Sequence, residues 1–369
     1  MSQPPAVPPE PAAPAVFHTE RIKVPQFIRA VVVDDSAFVR KVVREMLSRS
    51  PFIEVVGTAR DGAEALNLVE QLKPDVITCD LMMSGMDGVS FVREQMARRP
   101  LPILILTASP QDADRAIEAL NAGAVDFVRK PTALATDELL GIREELVEKV
   151  KAAARAPAGN LRPAMRAEPV KPLAARQGQL AVDLVVLGVS TGGPQALRQV
   201  LPMFPADFPV PIAMVLHMPL GYTALFAEKL DELSHLEVRE ARDGDLFRPG
   251  LALLAPAGRH LQVRRSPGGH LTAELTMQPL EKLHRPSVDV LFQSAAEVLH
   301  ERVLGVVMTG MGDDGKQGAA WIKAQGGAII TESVRTCIIY GMPRCVDEAG
   351  LSDASVPLGE IAREISERL

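Results

Sequence analysis

From Ile28 onward the chain alternates short, nearly unbroken apolar runs with longer segments whose apolar residues recur at helical spacing. In the first half the runs are Ile28 to Val33, Ile53 to Val56, Val76 to Cys79, Ile103 to Leu106 and Val125 to Val128. Five such strands joined by helix-length connections predict a parallel sheet covered on both faces. The pattern lapses between residues 151 and 180 and resumes with runs at Leu184 to Val189, Pro211 to Leu216, Leu251 to Ala255, Val303 to Met308 and Ala328 to Ile330. His260 to Arg264 and His270 to Leu275 alternate apolar and polar residues around Ser266-Pro267-Gly268-Gly269, which predicts a β-hairpin inserted in the second unit. The expected fold class is therefore α/β, with two doubly wound parallel-sheet domains.

Composition agrees with this division and adds to it. A chain of 369 residues with 47% hydrophobic and 23% charged residues suits two globular domains, and excludes whole-chain disorder and fibrous repeats. Proline is concentrated, with seven in the first 25 residues, so residues 1–26 are expected to be a disordered tail. Residues 27–150 would form the first domain, 151–180 a flexible linker and 181–369 the second domain. The linker holds six Lys or Arg against one Glu, so the net charge of −6 conceals a remainder near −11. As a flexible coil it would span roughly 30 Å.

The overall charge argues against nucleic acid as the main partner. No apolar run approaches the roughly 20 residues that span a bilayer, and no signal segment is visible, so a cytoplasmic protein that is not membrane-inserted is expected. Cys79, Cys337 and Cys345 lack the spacing of a zinc site and are expected to be buried thiols.

Ligands of open parallel sheets bind beyond the carboxyl ends of the strands. Asp34 and Asp35 follow the first strand, Asp80 the third, Thr107 the fourth and Lys130 the fifth. An Asp in such a place ordinarily caps a helix. Three carboxylates converging on one edge, however, call for a cation such as Mg²⁺, while Lys130 and Thr107 could grip a phosphoryl group being transferred. Together with Met86-Asp87-Gly88, Thr107-Ala108 and Lys130-Pro131, this set resembles the receiver domain of two-component response regulators across Ile28 to Ala154. The resemblance implies that Asp80 accepts the phosphoryl group, that Asp34 and Asp35 with Asp80 hold Mg²⁺, and that Thr107 and Lys130 sense phosphorylation. Ser84 stands where the family usually has proline after the second Met, which should loosen the loop.

In the second half, Gly188-Val189-Ser190-Thr191-Gly192 matches G-x-S-x-G at a strand-to-helix turn. A glycine-rich turn can equally cradle phosphate, but the Gly-Lys-Ser/Thr of a Walker loop does not occur. A nucleophilic serine needs a base. His18, His235, His260, His270 and His300 read as surface or packing residues, whereas His217 follows an apolar run directly and shares the carboxyl edge with Ser190. The loop Thr309-Gly310-Met311-Gly312-Asp313-Asp314-Gly315 brings an aspartate to the same edge, and spacing does not choose between Asp313 and Asp314. Nucleophile, base and orienting carboxylate would then meet, in a chain order different from that of α/β-hydrolases.

These segments, with His217-Met218-Pro219, Ala255-Pro256-Ala257-Gly258-Arg259-His260-Leu261, His284-Arg285-Pro286-Ser287-Val288-Asp289 and Tyr340-Gly341-Met342-Pro343, resemble the catalytic domain of the chemotaxis protein-glutamate methylesterase (CheB) family. The resemblance runs from about Asp183 to the C-terminus. It implies Ser190 as nucleophile, His217 as base and Asp314 as orienting carboxylate, with backbone near Thr191 and Met311 at the oxyanion. It also implies hydrolysis of glutamate methyl esters on methyl-accepting chemoreceptors, glutamine deamidation, a chemotaxis-type histidine kinase as phosphodonor, and no cofactor in the catalytic domain. Leu216 and Val189 depart from the common pattern, which bears on substrate fit. Two other readings are a non-catalytic binding module under receiver control and a transcriptional regulator. The second sits badly with an α/β second half.

Overall fold

The computed structural model describes residues 27–131, 136–161, 173 and 181–369. In the first half, strands β1 (Ile28–Val33), β2 (Ile53–Ala59), β3 (Val76–Asp80), β4 (Ile103–Thr107) and β5 (Asp126–Arg129) form a parallel sheet of order β2-β1-β3-β4-β5. Its helices are α1 (Ala37–Ser48), α2 (Gly62–Leu72), α3 (Gly88–Arg98), α4 (Ala113–Ala122) and α5 (Thr136–Ala153). Strands β3 and β4 are buried at every residue, as their unbroken apolar runs require in a sheet covered on both faces. The starts of α2 and α3 are set by side-chain caps: Asp61 accepts from the Glu64 N–H at 2.8 Å, and Asp87 from the Ser90 N–H at 2.8 Å. The chain leaves β1 toward β2 on one side and returns as β3 on the other. A crevice therefore opens between β1 and β3, where Asp34, Asp35 and Asp80 lie.

The second half contains β6 (Leu184–Val189), α6 (Gly193–Val200), β7 (Ile212–Leu216), α7 (Thr223–Asp231), β8 (Glu237–Glu240), β9 (Leu251–Leu254), β10 (His260–Arg265), β11 (Leu271–Thr276), α8 (Val288–Leu299), β12 (Val303–Val307), α9 (Lys316–Ala324), β13 (Ala328–Glu332), α10 (Met342–Glu348), β14 (Ala354–Val356) and α11 (Leu358–Glu367). Seven strands pair in parallel in the order β14-β13-β12-β6-β7-β9-β8, and β10 pairs with β11 as the separate antiparallel hairpin. The central trio β12-β6-β7 is buried throughout, and its three carboxyl ends lie side by side. Each buried aliphatic side chain there contributes about 1.5–3 kcal/mol relative to exposure.

Three details differ from expectation. Helix α5 continues to Ala153, which is fully buried, so the first residues of the expected linker are helical, and Ala158–Asn160 forms a further short turn of 3₁₀-helix. Lys151 and the three alanines after it favour helix, and packing rewards its continuation. Residues 162–172 and 174–180, like the expected tail at 1–26, lie outside the described residues. Second, the polar edge strand β8 and the three-residue β14 were not visible as apolar runs. Third, Cys79 and Cys337 are buried, but Cys345 is half-buried. No helix among the described residues is long and apolar enough to cross a membrane.

The two halves share one continuous apolar core. At their junction the Phe127 ring of β5 lies 4.8 Å from that of Tyr222, which precedes α7.

Candidate functional sites in the two domains

In the first domain, ligand atoms of Asp34, Asp35 and Asp80 all lie within 4.8 Å of one another. Asp34 and Asp80 are buried while Asp35 is exposed, giving one open approach to the cluster. The Lys130 ammonium sits 2.8 Å from Asp34 and 2.7 Å from Asp80. Burial pushes the Asp80 carboxyl up from its usual pKa, against the opposing pull of Lys130. Burial would likewise disfavour the charged Lys130, but bonds to both carboxylates raise its pKa overall. Three hard oxygen donors around one point fit a Mg²⁺ ion, which prefers carboxylates supplemented by water.

Thr107 departs from what an isolated receiver would need. Its hydroxyl lies 2.7 Å from the Tyr222 hydroxyl, which itself donates to the Ser109 carbonyl at 2.8 Å. Either hydroxyl can donate in this pair, since the Thr107 hydroxyl also lies 3.4 Å from the Ser109 carbonyl.

In the second domain, Ser190 ends β6 and is 8% exposed. Its N–H bonds the Thr309 carbonyl at 3.0 Å, and α6 begins three residues later. Two glycines make this packing possible. Gly192 takes φ +79°, and a Cβ on Gly310 would come within 2.8 Å of the Ser190 Cβ. His217 follows β7, and Asp314 lies in the loop after β12, so the three strands deliver their residues to one edge.

His217 Nε2 is 2.9 Å from Asp314 Oδ2. With Nε2–H donating to the carboxylate, the basic lone pair lies on Nδ1, which is buried without a hydrogen-bond partner among the described residues. Asp314 also accepts from the Ser287 hydroxyl at 2.8 Å and from the N–H groups of Val288 at 2.8 Å and Asp289 at 3.0 Å. Burial alone would raise its pKa, but these bonds and His217 hold the carboxyl well below the usual range. The two N–H groups open α8, so the helix start favours the anion. Asp289 returns the arrangement by accepting from Gly315 and Gly318, each at 2.8 Å, at the start of α9. Asp313 is exposed, and the structure pairs His217 with Asp314.

The backbone N–H groups of Thr191 and Met311 have no acceptor among the described residues. The Thr191 side chain is engaged by the first domain, since its hydroxyl donates to Asp126 at 2.7 Å. Beside it the Gly192 N–H bonds the Val125 carbonyl at 3.2 Å, and the Gln195 amide the Ala124 carbonyl at 2.8 Å. Lys149 neutralises Asp126 at 3.0 Å. The turn carrying Ser190 is thus buttressed by the corner between α4 and β5.

Sequence reading missed Tyr222, Asp126 and His284. The His284 ring stacks on His217 with centroids 4.2 Å apart and planes 22° apart. Its signal was its place in the segment from His284 to Asp289, although distance from Ser190 in the chain gave no reason to pair it with His217. His260, expected as a packing residue, is fully buried and accepts from the Ser287 N–H at 3.2 Å.

A buried carboxylate holding an imidazole beside a serine turn, joined to an acidic crevice, fits a receiver-linked hydrolase of the serine class. Comparisons with known proteins specify it further. Residues 185–365 match the family model for CheB methylesterase, and residues 30–141 that for the response regulator receiver domain. A protein-glutamate methylesterase/protein-glutamine glutaminase of Myxococcus xanthus is 49% identical over 333 residues, covering 90% of this chain and 95% of its own. One from Symbiobacterium thermophilum is 45% identical over 361 residues, covering 94% and 98%. The crystal structure of the Thermotoga maritima CheB methylesterase catalytic domain is 38% identical with a TM-score of 0.50, covering 51% of this chain and 99% of that one. The chain belongs to the CheB methylesterase family and carries a receiver ahead of its hydrolase domain.

Proposed function

We propose that the protein hydrolyses glutamate methyl esters on methyl-accepting chemoreceptors, under phosphorylation control, in chemosensory adaptation. The observation that carries this reading is the His217–Asp314 pair at 2.9 Å, with His217 Nδ1 left open at the edge that holds Ser190. Nδ1 takes the Ser190 proton as Oγ attacks the ester carbonyl, and Asp314 balances the imidazolium. The Thr191 and Met311 N–H groups receive the oxyanion. Collapse of the tetrahedral intermediate expels methoxide, which takes the proton from His217 and leaves as methanol. Water, deprotonated by the same nitrogen, then cleaves the acyl-serine to release the glutamate and restore Ser190. A receptor glutamine would follow the same path and lose ammonia.

The receiver supplies the control. A chemotaxis-type histidine kinase donates a phosphoryl group to Asp80, which Lys130 orients. Asp34, Asp35 and Asp80 would hold Mg²⁺, whose charge offsets that of the transferring phosphoryl group. Phosphoryl oxygens compete with Tyr222 for the Thr107 hydroxyl, which weakens the contact between domains and frees the Ser190 turn. The setting is the cytoplasm, where the receptor signalling helices lie.

Methanol release from methylated receptor tests the reading. Wild type should release methanol and Ser190→Ala should not; no release from either would favour a binding module, and equal release would remove Ser190 as the nucleophile. Acetyl phosphate with Mg²⁺ should stimulate wild type but not Asp80→Asn. Equal stimulation of both would remove the receiver from the account.

A further inference from the structure

We propose that His284 is a positioning residue for the hydrolase, holding the plane of the His217 imidazole with its own ring face. The inference rests on His217 being the general base. The geometry comes first. His217 is fixed at one point by the 2.9 Å bond to Asp314, and a ring pinned at a single nitrogen still rotates about its Cβ–Cγ bond. That rotation would carry Nδ1 away from the Ser190 turn. The His284 ring, 4.2 Å away and 22° from parallel, fills the space through which the His217 ring would sweep.

The segment bearing His284 is itself anchored to the site. Three residues on, Ser287 bonds Asp314 through its hydroxyl at 2.8 Å and His260 through its N–H at 3.2 Å. One short segment therefore fixes both the carboxylate and the face of the base. The charged groups that bear on His284 are His217, Asp314 and Asp313 of the hydrolase and Lys149 of the receiver. Burial, and then the neighbouring His217, push its pKa down to about 4. The stacked ring is thus neutral while His217 cycles, and a neutral aromatic face accommodates the imidazolium formed on proton transfer.

The test is methanol release by the full chain, activated with acetyl phosphate and Mg²⁺, for His284→Ala, His284→Phe and His284→Gln, with His217→Ala alongside. His284→Ala should lose kcat by roughly 10- to 100-fold, the scale of small misplacements in catalytic geometry, with KM within about twofold. His284→Phe, which keeps a flat face without a titrating nitrogen, should recover most of that loss and exceed His284→Gln. The downfield proton resonance of the His217–Asp314 bond should broaden in the Ala variant and persist in the Phe variant. The proposal is overturned if His284→Ala keeps kcat within about twofold, or if His284→Gln equals or exceeds a folded His284→Phe. The Phe and Gln comparison decides even if the Ala variant does not fold. Retained activity in His217→Ala would instead overturn the assignment of the base.

Discussion

The Tyr222 hydroxyl of the hydrolase domain lies 2.7 Å from the Thr107 hydroxyl of the receiver and 2.8 Å from the Ser109 carbonyl, to which it donates. Tyr222 lies five positions after His217, whereas Thr107 ends the strand beside the one that carries Asp80. That contact therefore links the acidic crevice of the receiver to the loop that follows His217.

Tyr222→Phe keeps the ring against Phe127 and removes the hydroxyl's bonds to Thr107 and Ser109. A net loss of about 1 kcal/mol should weaken the contact between domains roughly fivefold. Methanol release without phosphodonor should rise by up to that factor. By reciprocity, Asp80 should also accept phosphate from acetyl phosphate more readily, measured as the phosphorylated fraction at fixed donor. Unchanged basal activity and unchanged phosphorylation would show that the bond couples nothing.

Asp126 accepts from Thr191 across the domain junction and pairs with the buried Lys149. Asp126→Ala leaves that ammonium with the half-exposed Glu145 at 3.1 Å. Stability should fall by about 3 kcal/mol, the low end of the cost of removing one partner from a buried ion pair. Urea denaturation followed by fluorescence or circular dichroism measures it, and Asp126→Asn should lose less.

Asp314→Asn keeps the shape of the site but no longer balances the imidazolium or enforces its tautomer. A fall in kcat of about 10,000-fold is expected, with the protein still folded. A loss below tenfold would remove Asp314 from the orienting role.

The depressed pKa of His284 makes stability depend on pH. A base whose folded pKa lies below its unfolded one binds fewer protons when folded. Its contribution is complete above the unfolded value of about 6.5 and is lost as pH falls through about 4. His284→Phe should flatten the decline of the urea midpoint across that window.

Chelation provides a check on the acidic crevice. Excess EDTA should stop phosphotransfer to Asp80 while leaving unstimulated methanol release unchanged, because Ser190, His217 and Asp314 include no metal-type ligand cluster among the described residues.

Much of this was legible along the chain because parallel strands buried on both faces are written as unbroken apolar runs. β1 and β6 coincide with Ile28 to Val33 and Leu184 to Val189, and the residues after such runs reach the binding edge. The edge strands β8 and β14 were not legible, since Glu237-Val238-Arg239-Glu240 and a three-residue strand carry almost no apolar signal. The choice between Asp313 and Asp314 was likewise beyond spacing. It depends on which side chain turns toward the start of α8, and the N–H groups of Val288 and Asp289 draw in Asp314.

Local sequence thus determined the buried central strands, the α/β class of both halves and the residue types delivered to each sheet edge, because burial and turn chemistry act over a few residues. Tertiary structure alone decided that His284 faces His217, that Tyr222 reaches Thr107, and that Thr191 is held by Asp126. Those pairs are 67, 115 and 65 residues apart. No local pattern encodes such contacts, which exist only once packed sheets bring distant loops within the range of a hydrogen bond or a stacked ring.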